Sequence, residues 1–174
     1  MGAIVETTGK AGKSIEGRVR RLEDILQIQQ LLSKYGPSAD CCDLASLDSI
    51  WAEDAIYDVD GLGEFVGRKG LHEAYAGTFH QTMIATGCAH ISTAPYIVLD
   101  GDCASATHHA MLFEHRDGQF LLTRLSASRW LLRRTRDGWE VERRINRLLN
   151  GDPAARALFS ALEAGLRTAA TEVP

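Results

Sequence analysis

A chain of 174 residues, 45% hydrophobic and 24% charged, is long and apolar enough for one ordinary soluble domain with a single sizeable core. Its net charge of −4 and pI near 5.8 give no electrostatic basis for binding nucleic acid or an anionic membrane. No apolar run reaches the roughly 20 residues that a membrane span requires.

Residues 1–17, MGAIVETTGKAGKSIEG, read as a polar, flexible lead-in without the apolar centre of a signal peptide. From Ile15 to Tyr35, apolar residues at Val19, Leu22, Ile25, Leu26, Ile28, Leu31 and Leu32 recur at helical spacing. Gly36-Pro37 is expected to interrupt that helix, because proline removes a backbone donor and disfavours helical geometry before it. The chain then resumes through Ser38-Ala39-Asp40, with a kink that aims Asp40 inward. A short helix over Leu44–Trp51 follows, then strands at Ala55–Val59 and Glu64–Val66 joined by a turn at Asp60-Gly61. Lys69–His80 reads as a third helix.

Beyond it the pattern changes to long strands: His90–Leu99, Cys103–His115, Phe120–Arg134 and Trp139–Leu149. Asp100-Gly101, Asp117-Gly118 and Asp137-Gly138 punctuate them as hairpin turns. Asn150-Gly151-Asp152-Pro153 is a stop, and Ala154–Ala170 reads as an amphipathic tail helix. Helices first and an antiparallel meander second is an α+β layout. Strands this long twist and coil, so the sheet can wrap around its helices and leave a cavity.

The chemistry-bearing residues fall into a few groups. A carboxylate and an imidazole that meet in an apolar pocket form a general-base pair, and Asp40 and His90 are the candidates. Cys88, two residues before His90, reads as a small buried hydrophobe in preference to a nucleophile. The four cysteines (Cys41, Cys42, Cys88, Cys103) form no CxxC pair, which suits reduced thiols in a cytoplasmic protein. Of His108 and His109 only one can point inward along a strand; His109 shares a face with Met111. No HxH or HxxxH spacing gathers the three ligands a metal site needs, so no metal is expected. By the same alternation Arg144 and Asn146 share one face, and Val141 and Ile145 the other. With no glycine-rich phosphate loop, GxSxG elbow or Schiff-base lysine motif, no cofactor is expected either.

The order of elements, the segment IWAEDAIYDVDGLGEFVG and the closing RDGWEV hairpin resemble the SnoaL-like branch of the NTF2-like superfamily. The resemblance covers Arg18 to Asn150, and the nearest patterns are those of lindane dehydrochlorinase, scytalone dehydratase and bile acid 7α-dehydratase. It implies a cystatin-like α+β cone over residues 18–150, its strongly curved antiparallel sheet wrapped around the N-terminal helices and an internal cavity, with residues 151–174 as C-terminal helix and tail. It implies a catalytic Asp40–His90 dyad, with Tyr35 and Tyr57 assisting, and it places Arg144 and Asn146 inside the concavity. Trp51, Met111 and His109 complete the expected substrate-binding set. The implied activity is a cofactor-independent lyase that eliminates water, or formaldehyde from a hydroxymethyl group, from a hydrophobic aromatic or cyclic small molecule. An isomerase or cyclase of the same fold is the alternative, as is a non-catalytic subunit resembling the small subunit of ring-hydroxylating oxygenases. Val141 and Ile145, taken as convex-face residues, suggest a homodimer or homotrimer.

Overall fold

The first helix, α1 (Ile15–Asp40), begins where the Ser14 hydroxyl accepts a hydrogen bond from the Gly17 amide, at 3.1 Å. The computed structural model describes residues 14–160 and 162. Contrary to the expected interruption, α1 runs 26 residues without a break through Gly36-Pro37. Pro37 and Ser33 are both exposed, so water can serve the carbonyl that loses its amide partner. Gly36 has a separate purpose. A Cβ built there would lie 2.3 Å from the His90 carbonyl oxygen, so glycine is what lets the helix touch the strand carrying His90. The buried face of α1 is Asp24, Ile28, Leu32, Tyr35, Gly36 and Ala39; Val19, Leu22 and Leu26, read as part of the apolar face, are exposed.

Asp43 caps α2 (Leu44–Asp48), accepting from the Ser46 amide. Strand β1 starts at Trp51 and not at Ala55, and runs to Val59; β2 is Gly63–Val66. The expected third helix is two: α3 (Gly67–Ala76) and α4 (Thr78–Thr86). They divide at Gly77, whose extended backbone (φ −66°, ψ 153°) stops one helix and starts the next. The expected strand 90–99 is also two, β3 (Cys88–Ser92) and β4 (Tyr96–Asp100), parted just ahead of β4 by Pro95, which cannot donate to a ladder. Strands β5 (Cys103–Arg116), β6 (Gln119–Thr135) and β7 (Gly138–Leu148) follow the expected hairpins closely.

The sheet order is β2-β1-β7-β6-β5-β3, with β4 end to end with β3 along β5. All pairings are antiparallel except β1 with β7. Register shifts at Trp51/Ile56, Leu112/Phe113 and Leu131/Leu132 bend the long strands around α1. The concave face and the helices bury Ile28, Leu32, Leu47, Trp51, Trp130 and Leu132 in one cluster.

The bulge beside Leu131/Leu132 also corrects the expectation for Val141. It pairs Leu131 with Arg143 but Leu132 with Val141, which switches Val141 into the main core. Ile145 does face the other side, but the helix α5 (Pro153–Ser160) covers it with Ala155 and Leu158. Neither residue is therefore free to form a subunit interface. The tail helix expected to Ala170 is seen as α5, and the remainder lies outside the described residues, as does the lead-in before Ser14. Among the described residues no helix is long and apolar enough to cross a membrane.

Candidate active site

The end of α1 and the start of β3 meet at Asp40 and His90. Both carboxylate oxygens of Asp40 accept from the His90 backbone N–H at 3.0 Å, and Oδ1 also lies 2.6 Å from the ring Nδ1. A carboxylate can only accept, so the ring proton is on Nδ1 and the neutral imidazole keeps a bare lone pair on Nε2. Two backbone and side-chain donors on one carboxylate also lock the ring in place. Cys88 contributes a long contact from its Sγ to Asp40 at 3.7 Å. Burial first, and the Asp40 charge second, push its thiol up to about 11, so it stays protonated. Asp40, Cys88 and His90 are the three donors near enough to hold a cation among the described residues. In the arrangement observed the Asp40 carboxylate is taken up by the His90 backbone N–H and ring and by the Cys88 thiol.

His90 opens onto a cavity of about 730 Å³, within the range of small-molecule sites. Its inner wall is aromatic and cationic. The Arg144 guanidinium, 2% exposed, stacks 4.1 Å from the Trp130 ring, 4.2 Å from Tyr35 and 4.9 Å from Tyr57. Its Nε donates to Ser128, and among the described residues no carboxylate pairs with it. Burial opposes the charge, but the tyrosines around it outweigh that and raise its pKa. The two expected tyrosines meet here: the Tyr35 hydroxyl donates to the Tyr57 oxygen at 3.4 Å, and Asn146 donates to the same oxygen at 3.2 Å. The Tyr57 hydroxyl thus lies between Tyr35 and Asn146 at the cavity wall. Burial drives the Tyr57 phenol well above its ordinary range, partly offset by Arg144, so it is a neutral donor.

Met111, Arg144 and Asn146 line the cavity as expected; Trp51 and His109 do not. Trp51 lies one layer behind, 5.5 Å from the Tyr57 ring, as part of the core. His109 is on the outer face of β5, exposed and 4.7 Å from the Phe159 ring of α5. The inward histidine is His108. It accepts from the Trp130 indole at 2.6 Å and donates through Nδ1 to the His109 carbonyl. Burial, with help from the Arg144 charge, lowers its pKa to about 4, and both nitrogens are engaged.

The sequence profile of the SnoaL-like domain family matches residues 20–145. The chain belongs to this family. The domain is 39% identical to an NTF2-like protein of cystatin-like fold from Novosphingobium aromaticivorans, over 84% of this chain and 97% of that one, with a TM-score of 0.80. Two more distant structures share the fold. One is a hexachlorocyclohexane dehydrochlorinase from Novosphingobium barchaimii (19% identity, 76% and 90% coverage, TM-score 0.67). The other is a protein of unknown function from Mycobacterium tuberculosis (20% identity, 87% and 93% coverage, TM-score 0.66). No curated protein matches the chain.

This SnoaL-like domain brings further polar residues to the cavity that pattern reading missed, among them Tyr75, His80, Arg124 and Ser126. Tyr75 and His80 were assigned to one continuous helix, so the reversal at Gly77 that turns both into the cavity was hidden; Gly77 itself was the available signal. Arg124 and Ser126 follow the β6 irregularity opposite Leu112, beyond which simple alternation fails.

Proposed function

We propose that this SnoaL-like domain is a lyase that removes a proton with His90 and expels an oxygen-based leaving group from a small molecule with an apolar, ring-like body. The observation that carries the reading is the 2.6 Å contact between Nδ1 of His90 and Asp40, which leaves Nε2 as a base at the wall of an aromatic-lined cavity. As Nε2 takes the proton, Asp40 stabilises the imidazolium across the ring. The hydroxyl of Tyr57 serves a departing hydroxyl or developing oxyanion, and Arg144 beside it stabilises negative charge that accumulates there. Base, donor and charge stabiliser are all side chains, so the elimination needs no cofactor.

The fold is shared with a hexachlorocyclohexane dehydrochlorinase, but the polar groups here favour an oxygenated substrate. Nine buried side-chain polar atoms have no partner among the described residues. Six of them belong to cavity residues: Tyr75, His80, Arg124, Ser126, Arg144 and Asn146. A chlorinated hydrocarbon would leave them unpaired, at a cost of about 1–3 kcal/mol each, whereas hydroxyls and carbonyls satisfy them. Loss of water, or of formaldehyde from a hydroxymethyl group, is therefore favoured over loss of hydrogen chloride.

The test is mass spectrometry of aryl and alicyclic β-hydroxy and hydroxymethyl compounds, beside a chlorinated cyclohexane, incubated with the wild type and with His90→Ala. A mass loss of water or formaldehyde that disappears in the variant supports the proposal. A product of unchanged mass assigns the same base to an isomerase, and near-normal turnover by a folded His90→Ala protein overturns the mechanism.

A further inference from the structure

His80 is a histidine in the cavity that the elimination does not use. It is buried, 6% exposed, and its ring lies 5.6 Å from the ring of His90. Its orientation follows from helix ends. The α3 helix closes at Ala76, so the Tyr75 carbonyl in its last turn has no amide partner within the helix. After the reversal at Gly77, His80 in the first turn of α4 reaches back and places Nδ1 2.8 Å from that carbonyl. Gln81 donates to the same oxygen at 2.9 Å. A carbonyl cannot donate, so the His80 proton is on Nδ1 and the lone pair is on Nε2. That Nε2 is buried without a partner among the described residues. Burial lowers the pKa of the ring, against the pull of the Tyr75 carbonyl, which keeps it a neutral acceptor.

Two imidazoles thus line one cavity, each with its Nδ1 bound to an acceptor behind it. We propose that His80 is a substrate-recognition residue whose Nε2 accepts a hydrogen bond from a second hydroxyl of the substrate, next to the group on which His90 acts. The class of ligand is then a diol or hydroxy-phenol carrying two neighbouring donors on an apolar ring-bearing body. This rests on the cavity being the substrate site, and it concerns recognition and not the proton-abstracting step. The neighbouring Tyr75 hydroxyl, also buried and unpartnered, can donate to the oxygen of that second hydroxyl.

The experiment is calorimetric titration of wild type, His80→Phe and His80→Gln with a panel of aryl-substituted 1,2- and 1,3-diols, each matched with its mono-O-methyl ether. The wild type is expected to bind at least one diol tenfold or more tightly than the ether that lacks the second donor. His80→Phe, which keeps the ring volume, should erase that preference, and His80→Gln, which restores an acceptor, should recover part of it. A folded His80→Phe protein that retains the preference overturns the proposal, as does a wild type with no diol preference anywhere in the panel. Because the readout is binding, it separates from the lyase reading. A diol preference lost in His80→Phe beside normal turnover by His90→Ala would keep the subsite and sink the elimination mechanism.

Discussion

Two histidine regions of this domain have opposite hydrogen-bond accounts. Around His108 everything is closed: one ring nitrogen accepts from Trp130, the other donates to a backbone carbonyl, and the pair stacks at 17° inside the core. Around His90 and His80 each ring is tethered through Nδ1, and the buried Nε2 of His80 has no partner among the described residues. A satisfied buried polar group rigidifies a core, whereas an unsatisfied one stays costly until something else pairs with it. His80 is about as buried as His108, and hydrogen-bond satisfaction is what separates the two.

The sharpest way to break that contrast is to disarm the open region alone. Asp40→Asn removes the carboxylate that fixes the His90 tautomer, and turnover is expected to fall by about 10³-fold, within the range for acid–base groups, with little change in melting temperature. Steady-state rates beside a thermal scan check it; a fall in stability to match the rate would reduce Asp40 to a structural residue.

Gly36→Ala attacks the joint that holds the region together. A methyl 2.3 Å from the His90 carbonyl must push β3 off α1, at an expected cost of about 1–3 kcal/mol of stability. Turnover should drop as well, because the displaced strand carries His90, the proposed base. Urea unfolding and rate measurement together test this, and an unaffected rate would mean that the helix–strand contact does not set the dyad.

In the closed region the signs reverse. His108→Phe leaves the Trp130 indole N–H buried without its acceptor, for a loss of about 1–3 kcal/mol in denaturant unfolding, while turnover stays within a few-fold of wild type. A loss of activity larger than the loss of stability would move His108 into the site.

The smallest effect is expected at the far end of α1, where Asp24 holds Arg134 through two hydrogen bonds and accepts from Trp139. These donors, Arg134 foremost, lower the Asp24 pKa below its unfolded value near 4. Its contribution is thus fully present above about pH 4 and lost as pH falls through the lower folded value. Stability curves of wild type and Asp24→Asn should therefore converge in acid and differ modestly at neutral pH.

Much of this was readable in the chain. Hairpins at Asp117-Gly118 and Asp137-Gly138, long alternating strands and an apolar helix at the front specify an α+β curved sheet, because turn chemistry and periodicity are local properties. Alternation near the end of β7 put Arg144 and Asn146 on one face, while their inward placement and the pairing of Asp40 with His90 followed from the resemblance to the SnoaL-like pattern.

What failed was whatever depended on contact. Pro37 passed for a helix breaker because its cost depends on whether water reaches the freed carbonyl, which only burial decides. Trp51, His109 and Val141 were misplaced because bulges and layer depth shift a side chain from one face to another. His80 was invisible because its role depends on the Tyr75 carbonyl, left unpaired where α3 ends. The sequence by itself determined most of the elements and their turns, since these reside in local pattern and residue type. Only the tertiary structure decided which buried polar atoms are satisfied and which are unpaired, because hydrogen-bond satisfaction belongs to neighbours in space.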